Sequence, residues 1–265
     1  MLHELSLHLS PLPLGPLEYH PTLPSTTDLA AERLDSGSPD LTLIVADEQT
    51  AGRGRRGRRW HTPPGAALAF SLVLRPNPDT PLWAHAPLGA LAVHSALTDA
   101  YGLPAEIKWP NDVLVGGKKV CGVLAEAHWQ GDRLAGVVLG IGVNVAPEAV
   151  PPGELPFPAG SVAGALEAAG RSAAVDRWEL LAGILSALLE WRAQTGAAAF
   201  LSAWEARLAY LGREVVVGEL AGGPEARIHA AGVLAGLAPE GALRLQTETG
   251  EITIPAGELS LRLKG

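Results

Sequence analysis

Residues 51–60 read AGRGRRGRRW, five arginines and three glycines in ten positions. Arginine grips phosphate or carboxylate through a planar fork. Glycine lets a backbone close on a ligand or take positive φ. Such a loop suits an anion that it folds over. The other reading is an Arg/Gly-rich patch for nucleic acid. Placement favours the first. The stretch follows an apolar run, 41–49, and leads through Trp60 and Pro63-Pro64-Gly65 into a second, 66–76. A loop pinned at both ends by core strands is a site loop more often than a tail.

Three further segments carry polar groups in telling places. In IKWPNDV (107–113), Pro110 breaks a strand and Asn111-Asp112 sits at the turn, flanked by Lys108. An ordinary Pro-Asn-Asp surface turn has the same composition. Lys119 opens a central strand, where a charge is costly unless it faces a cleft or a partner. Taken alone, it reads as a strand-end lysine in water. GIGVNV (140–145) sets two glycines on an apolar strand, which permits close approach by a backbone or a flat ligand, with Asn144 as its polar group. No GxGxxG is present there, so a Rossmann dinucleotide site is not indicated.

The elements that must position these groups emerge from periodicity and punctuation. Residues 1–24 are rich in Pro and Leu and show no pattern beyond a short strand. A helix is expected over 25–37, opened by a capping Ser or Thr and closed by Gly37. Buried strands are expected at 41–49 and 66–76, and a helix at 81–103. Next comes a meander: a strand at 105–109, a Gly116-Gly117 hairpin, and two long apolar strands joined by QGD at 130–132. From 161 the period becomes helical for three segments, two of them opening on Ser161 and Asp176. After Gly212 short strands separated by turns suggest a small β-barrel.

The whole chain has 265 residues and 47% hydrophobic content, enough for a real core. Its formal net charge is −8, which does not favour DNA binding. No run of about 18 uncharged apolar residues offers a membrane span, and the N-terminus lacks a secretion pattern. The lone Cys121 rules out an internal disulfide and suits a cytoplasmic setting. It reads as a small buried hydrophobe. Sixteen of the basic residues are Arg, and three of the four Lys (108, 118 and 119) fall within twelve positions. The eight histidines show no metal-ligand spacing.

STTD at 25, EQTAGRGRRGRRW at 48, KWPND at 108, KKVCG at 118, GIGVNV at 140 and GELSLR at 257 resemble, in this order and spacing, a biotin–protein ligase. The likeness spans nearly the whole chain. It implies an α+β fold: a class II synthetase-like catalytic domain with a mixed central sheet flanked by helices (1–211) and a small C-terminal β-barrel (212–265). It implies ATP and biotin as substrates with Mg²⁺, a biotinoyl-adenylate intermediate, and transfer to a lysine of a biotin carboxyl carrier protein. Relatives differ in oligomeric state, so a homodimer is one option.

The resemblance also implies roles. Ser25, Thr26 and Gln49 would bind the ureido ring of biotin. Gly52, Arg53, Gly54 and Arg55 would form the loop closing over biotin and adenylate, with Arg53 and Arg55 acting in catalysis beside Lys119. Lys119 would touch the biotin carboxylate and α-phosphate, and Gly122 would leave room beside it. Trp60, Lys108, Asn111, Asn144 and Arg262 would contact ATP or the adenylate, and Asp112 would hold Mg²⁺. Arg56, Arg58 and Arg59 would set backbone and solvent contacts. No convincing base for the acceptor lysine emerges; Asp112 is a candidate, although the metal role is preferred. Thr27 stands where the family more often has Asn, and WHTPPG departs from the usual segment after Trp60. Many relatives carry an N-terminal DNA-binding domain; 24 residues precede STTD here, so no DNA partner is expected. The rivals are a lipoate-type ligase, with the same fold and adenylate logic, and a nucleic-acid-binding module.

Overall fold

The computed structural model describes residues 1–75, 79–153, 155, 157–219, 228–256 and 259–264. Gly257 and Glu258 of the GELSLR segment lie outside these residues, as do Pro76 and part of the stretch after Gly212 where short strands are expected.

The chain opens with helix α1 (Leu2–Leu9), strand β1 (Leu17–Leu23), helix α2 (Thr26–Asp35), and strands β2 (Thr42–Gln49) and β3 (Ala67–Leu74). Helix α3 (His85–Asp99) leads into strands β4 (Ala105–Lys108), β5 (Asp112–Val115), β6 (Lys118–Gln130) and β7 (Arg133–Asn144). These strands form one seven-stranded sheet in the order β1-β2-β3-β7-β6-β5-β4. β1 and β2 run parallel, and every other pair is antiparallel. The expected mixed sheet is therefore present. Gly116 and Gly117 both take positive φ at the β5–β6 corner, as a tight hairpin demands.

Both faces of the sheet are covered, which is why its central strands read as unbroken apolar runs. Along β2, Leu43 and Val45 point into the layer of α3 and α5 (Arg177–Arg192), whereas Ile44 and Ala46 meet α2 through Ala30 and Leu34. β3 is buried along its whole length. No sequence pattern announces helix α1. Its Leu5 and Leu9 are four apart and buried, but the flanking prolines at 11, 13 and 16 obscure the period.

Helices α4 (Val162–Ala168), α5 and α6 (Ala198–Glu205) come next. The C-terminal strands are β8 (Glu214–Gly218), β9 (Ile228–Leu237), β10 (Leu243–Thr247), β11 (Gly250–Ile254) and β12 (Ser260–Leu263). They form an antiparallel sheet, β11-β10-β9-β8-β12. Among the described residues nothing pairs β11 with β12, so the expected barrel is an open sheet. It is not a free appendage. Trp109, fully buried, donates its indole N–H to the Gly241 carbonyl at 3.1 Å. The segment that leads into this sheet is tied to β4, where Ile107 N–H donates to Arg207 O (2.7 Å) and Ala209 N–H donates back to Ile107 O (2.9 Å). Val215, Leu243 and Leu261 share one continuous core with Trp109 and Trp204.

Candidate active site

The strand register builds the floor of the site. Lys108 lies opposite Asp112, Asp112 opposite Gly122, and Gly122 opposite Gly142. Cross-strand neighbours share a face, so these four form a row across β4, β5, β6 and β7. Lys119 would not join them in a regular strand, because it lies three positions from Gly122 and successive side chains alternate. The β5–β6 register shifts between Val113 and Leu114: Val113 faces Cys121, but Leu114 faces Lys119. Val120 is the extra residue. A bulge re-aims the side chains beside it, and here it turns Lys119 onto the face of Asp112 and Gly122.

Lys119 Nζ then lies 2.6 Å from Asp112 Oδ1, and Lys108 Nζ lies 3.6 Å from Oδ2. Lys108 is only 2% exposed, stacks over the Phe157 ring at 4.6 Å, and donates to Ser260 Oγ at 3.3 Å. Burial pushes the Lys108 ammonium below its ordinary range against the pull of Asp112. Burial would raise the Asp112 carboxyl, but Lys119 and Lys108 outweigh it and leave it below the usual carboxylate range. One carboxylate between two ammonium groups leaves the cluster with one net positive charge.

Glycine shapes the wall above. A Cβ on Gly142 would overlap the Trp60 indole, and one on Gly122 would lie 3.1 Å from both the indole and Lys119 Nζ. The flat group admitted by these glycines is therefore the side chain of Trp60, whose ring centroid is 5.4 Å from Lys119 Nζ. Its buried N–H finds no acceptor among the described residues.

The 52–60 segment forms a roof. It folds back on itself through Gly54 N–H to Arg58 O and Trp60 N–H to Gly52 O, each 2.8 Å. Arg55 donates to Asn111 Oδ1 at 2.9 Å, and Asn111 is fixed in turn by its Nδ2 donating to Val123 O at 2.6 Å. At the other end of the cleft, Gln49 Oε1 accepts from the Thr26 N–H (2.8 Å) and hydroxyl (3.1 Å) at the start of α2. Gln49 Nε2 donates to Thr62 Oγ1, and Ser71 joins Thr26 at 2.9 Å.

Together they enclose an open cleft of about 1060 Å³, mouth included. Of the residues singled out from the sequence, Thr26, Gln49, Arg53, Gly54, Arg55, Trp60, Asn111, Lys119, Gly122 and Asn144 line it. Ser25 does not; it is buried as the N-cap of α2, accepting from Asp28 N–H. Gly52 lies behind the roof, where a Cβ would strike Trp60 O at 2.5 Å. Lys108 and Asp112 belong to the floor row but do not line the cleft; Asp112 meets it only through its ion pair with Lys119. Arg262 on β12 pairs with Val216 and lies outside the lining, two residues from Ser260. Arg58, expected to make solvent contacts, does line the cleft, as does Arg59. So do Leu155, Phe157 and Ala159, from a loop that no sequence signal marked. That loop is held by Lys119 N–H to Pro158 O (2.8 Å), Gly160 N–H to Lys119 O (2.9 Å) and Asn144 Nδ2 to Gly160 O (2.9 Å).

The residues present do not fit a magnesium ion on Asp112. Both of its carboxylate oxygens face ammonium groups. Mg²⁺ needs near-octahedral oxygen ligation, which two lysines deny it here.

A mixed sheet whose cations converge on a cleft under an Arg/Gly roof suits a reaction that gathers negative charge on its reactants. The Biotin/lipoate A/B protein ligase family matches residues 19–144. The chain belongs to this family. It is 40% identical to a biotin–[acetyl-CoA-carboxylase] ligase of Paracoccus denitrificans, over 88% of this chain and 96% of that one. It is 46% identical to a bifunctional ligase/repressor of Bacillus subtilis, but that match spans 49% of this chain and about two-fifths (40%) of the relative. Among solved structures, a biotin protein ligase from Aquifex aeolicus in complex with biotin and ATP superposes with a TM-score of 0.76 at 31% identity, covering 94% of this chain and 99% of that one.

Proposed function

We propose that the protein is an ATP-dependent biotin–protein ligase, with residues 1–211 holding both small substrates and 212–265 closing the site from below. One observation carries the reading: Lys119 and Arg55 converge on a single cleft that Thr26 and Gln49 close at one end and Trp60 floors. A carboxylate oxygen of biotin attacks the α-phosphorus of ATP, and pyrophosphate leaves. A lysine amine of a carrier domain then attacks the acyl carbon, loses one proton, and AMP departs. Lys119 and Arg55 supply positive charge where negative charge accumulates on phosphate and carboxylate. Asp112, itself paired with Lys108, holds the Lys119 ammonium in place. The roof keeps water from the acyl phosphate. The carrier protein of a biotin-dependent carboxylase is the partner in this reading. We place the reaction in the cytoplasm, supported by the single reduced cysteine; no described helix is long and apolar enough to cross a membrane.

The test is biotin-dependent release of pyrophosphate from ATP, followed by label transfer to a carrier domain, with lipoate in a parallel arm. Biotin should support both steps and lipoate neither. Lys119→Ala should fold, with pyrophosphate release falling at least about a hundredfold. Lipoate turnover in place of biotin, or full activity in Lys119→Ala, would overturn the reading.

A further inference from the structure

The roof is fastened at a point that the ligase chemistry does not require. Arg53 Nη1 donates to Asp28 Oδ1 at 2.8 Å and to Glu126 Oε2 at 2.9 Å, while Nη2 donates to Glu126 Oε1 at 2.6 Å. Glu126 thus takes both prongs of the fork, the strongest geometry for this pair. Asp28 belongs to the first turn of α2 and Glu126 to the middle of β6. Glu126 lies an even number of residues from Gly122 and Leu124 on one strand, so it rises from the same face as the floor. The guanidinium therefore ties the roof to two separate elements that border the cleft.

The balance of charge separates this cluster from the one around Lys119. Two ammonium groups share one carboxylate at Asp112, which leaves a net positive charge for an incoming anion. At Arg53 two carboxylates share one guanidinium, and the net charge is negative. A carboxylate or phosphate approaching Arg53 would meet Asp28 and Glu126 first, so Arg53 is the wrong cation for the ligand and the right one for an anchor. The hairpin transmits the anchorage: Arg53 bridges Arg59, and Gly52 pairs with Trp60, so fixing Arg53 fixes the roof down to the indole on the floor.

We infer that Asp28 and Glu126 are positioning residues that strap the 52–60 segment over the cleft through Arg53, and that retention of the bound acyl-adenylate depends on them. The inference rests on the ligase reading for its ligand, but not for the strap itself.

Two measurements on the full chain test it. Release of preformed biotinoyl-adenylate should be about tenfold faster in an Asp28→Asn, Glu126→Gln double variant, while the single-turnover rate of adenylate formation changes by less than about twofold. In the wild type, added NaCl should speed release by weakening the ion pairs, and the double variant should lose that salt dependence. Without any ligand, trypsin should cut at Arg55, Arg56, Arg58 or Arg59 several-fold faster in the double variant. Equal trypsin sensitivity, or equal adenylate release with unchanged salt dependence, overturns the strap alone. A wild type that forms no adenylate overturns the ligase reading and the retention role with it, and the trypsin result then judges the strap.

Discussion

Lys119 reaches the cleft because of one extra residue, Val120. Without the bulge, the alternation of β6 would send this ammonium to the opposite face, away from Asp112 and Trp60. Composition alone favoured a lysine in water, and only motif spacing singled the residue out. A register shift depends on the partner strand, which no local pattern records. The glycines of 140–145 were more legible. Close approach by something flat was expected, and the structure supplies an indole from the same chain. Gly142→Ala is therefore a sharp test. Its Cβ would overlap the Trp60 ring, too close for both to stay. An alanine suits the strand, so the fold should survive while the indole is expelled. Tryptophan emission should shift to the red, and adenylate formation should slow about tenfold.

The elements were more legible than the residues. Strands β2 and β3, the Gly116-Gly117 hairpin and the long β6–β7 pair are implied by apolar runs and turn chemistry, and they are present. Helices opening on Ser161 and Asp176 are present with their caps. Ser161 Oγ accepts from Gly164 N–H at 3.1 Å, and Asp176 Oδ1 accepts from Trp178 N–H at 2.8 Å and Glu179 N–H at 3.2 Å. Asp176→Ala should cost about 1 kcal/mol. Calorimetry should show this as a fall in Tm of about 2–4 °C, with adenylate formation unchanged. What escaped the sequence were elements defined by what they lean on. α1 is too short and too proline-flanked to show its period. The 155–159 wall owes its shape to backbone bonds with Lys119 and Asn144, not to its own composition. The root of the roof is similar: Asp47, at the end of β2, accepts from Gly65 N–H at 3.3 Å and pairs with Arg177 at 2.5 Å, 130 positions away in sequence.

At the scale of the whole molecule, two sheets share one core, and the change of texture after Gly212 marks a change of architecture more than a loss of contact. The same core sets a pH limit. Burial, with Arg207 nearby, pushes the His94 imidazole down from 6.5 to about 4. The folded state thus prefers neutral His94. Its contribution is complete above pH 6.5 and is lost as pH falls toward 4, on the order of 3 kcal/mol in all. Denaturant melts between pH 7 and 4 should show this loss, and His94→Gln should flatten the slope. Near-parallel slopes in both proteins would remove His94 from the account. The same burial seals Cys121 within the sheet and pushes its thiol well above the ordinary range. Thiol-directed reagents attack the thiolate, so Cys121 should resist them in the native molecule. A thiol introduced by Arg59→Cys would be the one reactive handle on the protein, and a dye placed there would report each opening and closing of the roof against a silent background.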